Sequence, residues 1–80
     1  MISQSTIVEI LDTAKKLTRD NAKVMGIFKL SGIDVKEDLS FVSFQGDPGA
    51  CARNLMSNLS SFPILKVAAK NIFHKAGVTF

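Results

Sequence analysis

Two prolines, Pro48 and Pro63, constrain the second half of this chain more than any other feature. Proline fixes φ near its helical value and lacks an amide proton, so it is tolerated at the first position of a helix and disruptive further in. Asp47 stands directly before Pro48 and offers a carboxylate to the free amides of a helix start. This predicts a helix from Pro48 to about Leu59. Ser60-Ser61-Phe62 then punctuates, and Pro63 opens a further helix expected to end near Ala76, with Gly77 as its C-terminal stop.

On a helical wheel for that last segment, Ile64, Leu65, Ala68, Ala69, Ile72, Phe73 and Ala76 span about half the circumference. Lys66, Lys70 and His74 align on the opposite side at i, i+4 and i+8. The expectation is an amphipathic helix with a cationic ridge, extended by Lys75.

At the other end, Thr6-Ile7-Val8-Glu9 has capping-box spacing, in which the Thr6 hydroxyl and the Glu9 carboxylate satisfy the amides of a helix start. Ile7, Ile10, Leu11, Ala14, Leu17 and Thr18 fall within one arc, with Glu9, Asp12, Lys15, Lys16 and Arg19 opposite. Asp12 and Lys16 also form a favourable i,i+4 pair.

Between these ends two readings compete. In the first, Val24, Met25 and Phe28 continue a helical face, with a break near Asp20-Asn21, until Gly32 supplies a left-handed stop. Asp34-Val35-Lys36-Glu37 then repeats the capping-box spacing, and Val35, Leu39 and Val42 recur at helical intervals. In the second, residues 23–30 and 39–45 form a hairpin, because Phe41-Val42-Ser43-Phe44 suits a pleated surface. The fold expected is mainly α, a small bundle of about four short helices; the alternative is α+β with that hairpin.

The chain has 80 residues, with no internal repeat and no linker, so residues 1–80 are read as one domain. A chain this short buries only about 60–65% of its unfolded surface. Self-association is therefore expected to supplement its core, and a homo-oligomer is the expected state. The hydrophobic share of 46% and the charged share of 21% exclude a disordered tail.

The single cysteine, Cys51, forms no intramolecular disulfide, and the N-terminus lacks the basic start of a secretory signal. A cytoplasmic protein is the expectation. The longest run without a formal charge, Asn54 to Leu65, is 12 residues, short of the roughly 20 that a membrane span needs. Membrane attachment through the last helix is disfavoured because its alanines suit helix packing better than a lipid boundary.

His74 and Cys51 are the only residues of their kinds, so no zinc ligand set exists. Asp34, Glu37, Asp38 and Asp47 read as helix-start and surface carboxylates. Cys51 lies between two alanines and reads as a buried packing residue, leaving no nucleophile and base pair with an orienting third group. Gly46 and Gly49 make no phosphate-binding glycine pattern. The chain is read as no enzyme, with no cofactor and no metal.

Charge supplies the functional lead. The last acidic residue is Asp47: residues 1–47 hold six Lys/Arg against seven Asp/Glu, net −1, and residues 48–80 hold four against none, net +4. This one-sided field, together with the apolar stretch Phe41 to Phe44 and the terminal Val78-Thr79-Phe80, points to a small protein-interaction module such as a regulator, inhibitor or assembly factor. Lys66, Lys70, His74, Lys75 and Arg53 are the candidate steering residues, and Phe41, Phe44 and Phe80 the candidate apolar anchors, for a protein partner. The alternative is non-specific nucleic-acid binding through the basic C-terminal helix. Its opening Phe62-Pro63-Ile64-Leu65 offers nothing to read base edges, so only phosphate contacts are expected there.

Overall fold

The computed structural model describes residues 2–36 and 38–80. Ser3 opens the first helix: its hydroxyl accepts the Thr6 amide at 3.3 Å and lies 3.0 Å from the Thr6 hydroxyl. Helix α1 therefore runs Gln4–Leu17, capped by Ser3 rather than by Thr6. The correction has a simple cause. Thr6 is itself buried, and Ser3 offers the same capping chemistry one turn earlier.

Thr18 takes extended backbone, and Asp20 caps the next helix, accepting the Lys23 amide at 3.1 Å. Helix α2 spans Asn21–Leu30. Residues 23–30 are thus helical and form no strand. Of the side chains that continue the α1 pattern, Val24 and Phe28 are buried and Met25 is half-buried, while of the two that do not, Ile27 is half-buried and Leu30 is 76% exposed.

The chain leaves α2 through Gly32, whose φ of +86° provides the left-handed stop. A short antiparallel hairpin follows. Strand β1 (Ile33–Val35) pairs with β2 (Val42–Phe44), in register Ile33 to Phe44, Asp34 to Ser43 and Val35 to Val42. The hairpin reading of Phe41 to Phe44 is right in kind, but its partner strand starts after Gly32 rather than at Lys23. The helix start read from Asp34 is replaced by β1, and Glu37, the last member of that spacing, lies outside the described residues.

Beyond the strands, the Lys36 amide donates to the Phe41 carbonyl and the Leu39 amide to the Lys36 carbonyl. Leu39 takes φ +61°, a strained value for a branched-chain residue, yet it packs partly buried against the core. In the same turn, the Ser40 hydroxyl and amide both donate to the Asp38 carboxylate, holding its pKa below the ordinary carboxylate value. These bonds are complete above the ordinary carboxylate pKa and are lost as pH falls through the lowered one.

Asp47 caps α3 (Pro48–Asn58), accepting the Ala50 amide at 3.0 Å with Pro48 at the first helical position. A single 3-10 turn, Leu59–Ser61, leads to α4 (Pro63–Lys75). The result, among the described residues, is mainly α: four helices and a two-stranded hairpin.

Helices α1 and α4 pack along each other. They run antiparallel, since Lys75 near the end of α4 reaches Glu9 of α1 and Ile2, before α1, shares a hollow with Gly77 and Val78 after α4. Phe28, Phe73, Ile7, Ile10, Ile33, Leu55, Leu59, Leu65 and Val24 are fully buried in one cluster. Three residues assigned by the wheel to apolar arcs are exposed instead: Leu17 (48%), Ile64 (72%) and Ala76. Leu17 and Ile64 sit at arc margins, where a helix turns away from its neighbour, and Ala76 is the C-cap just past the last residue of α4.

Among the described residues no buried side-chain nitrogen or oxygen lacks a hydrogen-bond partner. The Ser31 hydroxyl donates to the Ile27 carbonyl at 2.8 Å and lies 3.0 Å from the Asn58 amide nitrogen, tying the end of α2 to the end of α3.

Candidate interaction face

Helix α3 presents Arg53, Met56 and Ser57 at i, i+3 and i+4, which share one face. Helix α4 presents Lys66 and Lys70 one turn apart. Where these faces meet, the five side chains and Phe80 line a groove of about 320 Å³. Met56 is buried at its base, Lys66 is half-buried, and Arg53 and Lys70 are exposed.

Phe80 reaches the groove because of how α4 ends. The Gly77 amide donates to the His74 carbonyl at 3.0 Å and the Val78 amide to the Phe73 carbonyl at 2.9 Å, with Gly77 at φ +86°. That pairing is the Schellman arrangement, which turns the chain back across the last helical turn and brings the residue after glycine onto the helix's apolar side. Val78 accordingly packs against the core. The Phe80 ring then meets Phe73 edge-on, with centroids 5.3 Å apart and planes at 76°, and lies beside His74 at 6.3 Å. An edge-to-face aromatic pair is a favoured geometry, so the terminal ring has a preferred seat.

The charged side chains that line the groove are all cationic, and the Asp47 carboxylate stands near the Arg53 guanidinium beside Gly49, outside the lining. Among the described residues the only ion pair within 4.0 Å is Lys75 with Glu9, at 3.9 Å and well exposed on both sides, a pairing that contributes little. Arg53, Lys66 and Lys70 meet no carboxylate at that distance among the described residues. Three cations thus surround an apolar floor and wall made by Met56 and Phe80.

The candidate residues divide accordingly. Arg53, Lys66, Lys70 and Phe80 come together at the groove. His74 touches it only through the Phe80 ring, and Lys75 turns towards α1. Phe41 and Phe44 lie on the hairpin. Phe41, 54% exposed, lines a hollow of about 310 Å³ with Asp34, Val35, Lys36 and Ser43. Phe44, half-buried, lines a larger one of about 530 Å³ with Ile2, Pro48, Gly49 and Val78. The larger hollow carries the capping carboxylate of Asp47 and no cation, so size and charge point to different places on the surface. Met56 and Ser57 were not among the residues singled out from the sequence, although their spacing from Arg53 on a helix beginning at Pro48 places them on its face.

The remaining chemical groups are otherwise engaged. Cys51 is 3% exposed, and its thiol lies 3.6 Å from the carbonyl oxygens of Gly32 and Gln45 at the base of the hairpin, whereas His74 stands on the exposed side of α4. Asp34 accepts from Gln45 at 3.4 Å, Asp38 from Ser40, and Asp47 from Ala50. No three His, Cys, Asp or Glu side chains among the described residues cluster as a metal site. No helix among them is long and apolar enough to cross a membrane. Compared with protein families, with curated proteins and with solved structures, the chain has no match, and its functional reading rests on the residues themselves.

Proposed function

We propose that this chain is a non-catalytic interaction module that binds an anionic macromolecular partner, a protein in the first instance, through the face shared by α3 and α4. The observation that carries this reading is the convergence of Arg53, Lys66 and Lys70 on one groove with an apolar floor and, among the described residues, no Asp or Glu side chain lining it. Unpaired cations steer an anionic partner, and the desolvated apolar floor supplies affinity that salt does not screen. A regulator, inhibitor or assembly factor acts by occupying a surface in this way.

Non-specific nucleic-acid binding uses the same cations and is the competing reading. Three side chains give about three phosphate contacts, for which affinity falls about 40-fold between ~50 and ~200 mM salt. Such binding is weak where the apolar part of the groove still holds a protein.

One experiment separates the two. A photo-crosslinking residue at Ser57, beside the groove, is expected to give discrete protein adducts in cells, and a residue at Ala22 on α2 is not. The Lys66→Glu, Lys70→Glu double variant should lose the Ser57 adducts while keeping its far-UV circular dichroism. Adducts unchanged by the double variant would remove the groove as the interface. Submicromolar binding of labelled single- or double-stranded oligonucleotides at near-physiological salt, without protein adducts, would replace the protein partner by nucleic acid.

Self-association belongs to the same proposal. Ile64 and Val67 stand one turn apart on the outer side of α4, 72% and 61% exposed. A second copy covering this pair removes apolar surface that a small domain is otherwise short of burying. Sedimentation equilibrium should show a dimer that the Ile64→Ser, Val67→Ser variant converts to monomer; a wild-type monomer at high concentration defeats this part.

A further inference from the structure

We infer that the α3/α4 groove takes an acidic amphipathic peptide segment whose carboxylates flank a large apolar side chain, and that this side chain seats against Phe80 and Met56. The inference rests on the interaction reading above and specifies its partner.

Lys66 and Lys70 are four residues apart on α4, a rise of about 6 Å along the axis. Two carboxylates at i and i+4 of a partner helix repeat that rise, so both lysines are satisfied by one turn of partner. Arg53, across the groove on α3, faces the same space and supplies a planar fork for a further carboxylate. No acidic residue follows Asp47, so no acidic side chain within α3 or α4 competes for Lys66 and Lys70, while Arg53 borders the same space beside Gly49 as the capping carboxylate of Asp47.

Between the cations the lining is apolar. Met56 is a flexible thioether that adapts to the shape of an inserted group, and the Phe80 ring is held in place by Phe73 while staying 47% exposed. The groove, about 320 Å³, stands at the small end of ligand sites. That volume suits one inserted side chain, with the remaining contacts made at the rim. A duplex backbone uses the rim alone and leaves the floor empty, and a single strand that stacks a base on Phe80 is the competing occupant, which the oligonucleotide titration tests.

The test is fluorescence anisotropy, at near-physiological salt, with a labelled helix-forming peptide carrying Glu at i and i+4 and Phe at i+3. A second peptide has Ala for that Phe, and a labelled single-stranded oligonucleotide serves as the third titrant. The full chain should bind the Phe peptide about tenfold or more tighter than the Ala peptide, the margin expected of burying one aromatic side chain. That margin should vanish in Phe80→Ala, whose altered residue lies outside the buried core. Both peptides should be lost to Lys66→Glu, Lys70→Glu.

Equal affinity for the two peptides overturns the apolar anchor but leaves the anionic-partner reading standing. Tighter binding of the oligonucleotide overturns both. No binding of either peptide overturns the peptide occupant, and the crosslinking result then decides the broader reading by itself.

Discussion

The Phe73→Ala variant is expected to lose most of the stability of this protein. Phe73 is fully buried at the end of α4, its carbonyl accepts the Val78 amide, and its ring seats Phe80. Truncating a buried phenylalanine costs about 3–5 kcal/mol through lost burial and the cavity left behind. A chain of 80 residues has roughly 4–12 kcal/mol to lose. Thermal unfolding followed by far-UV circular dichroism should show Tm falling by more than about 12 °C, or no cooperative transition. Phe73→Leu, which leaves a smaller cavity, should fall in between. A Tm within a few degrees of wild type for Phe73→Ala would mean that α4 does not pack by this face.

The second large effect is expected at Gly32, where Gly32→Val meets two separate penalties. The φ of +86° lies in the left-handed region, which costs a side-chain-bearing residue about 1–2 kcal/mol. A Cβ there also stands 3.2 Å from the Cys51 sulfur and 3.5 Å from the Gln45 carbonyl oxygen. The neighbours cannot retreat easily. Cys51 is buried on α3, and the Gln45 amide is bonded to the Gly32 carbonyl at 2.8 Å. Overpacking of this kind adds about 1–3 kcal/mol. Urea unfolding should place Gly32→Ala near the lower end of the combined cost and Gly32→Val near its upper end. In a Cys51→Ala background the steric part of Gly32→Ala should shrink while the conformational part remains. Additive costs in that cycle would show that the sulfur is no constraint on the turn.

Gly32 also marks a change in how far local reading reaches. Before that residue the Asp20 break, the helical face of Val24 and Phe28 and the left-handed stop are each written within a few positions, yet they left residues 23–30 open between a helix and a strand, and packing against α1 and α3 decided for the helix. After it, local preferences conflict. Asp34-Val35 reads as a helix start, and Phe41 to Phe44 reads as a strand. The conflict is resolved at a distance, because α3 sets the Cys51 thiol against the carbonyls of Gly32 and Gln45, and that contact suits a hairpin closing over the start of α3. Leu39 pays the same kind of cost, holding φ +61° while packing partly against the core. No neighbour of Leu39 in the sequence announces that strain, since what offsets it comes from other elements.

The groove divides in the same way. Lys66 and Lys70 were legible as a pair because i,i+4 spacing is a property of one helix. Arg53 and Phe80 were nameable only singly, as a cation and an apolar end. Their meeting depends on α3 lying beside α4 and on the turn at Gly77 carrying the chain back over Phe73. His74 had the same claim by spacing as the two lysines, yet the returning chain sets the Phe80 ring beside it.

By itself the sequence determined the helix boundaries at Asp47, Pro48, Pro63 and Gly77, and that no acidic residue follows Asp47; it offered Asp20 and Gly32 as the bounds of a helix in one of two readings. Caps, proline and left-handed glycine act through backbone groups no more than a few residues away, so they are written locally. Only the tertiary structure decided that residues 33–44 form a hairpin, that Ile64 and Leu17 stay outside the core, and that three cations share one groove with Phe80. Those outcomes depend on which faces meet across the fold, and burial against a distant element outweighs any preference that neighbouring residues express.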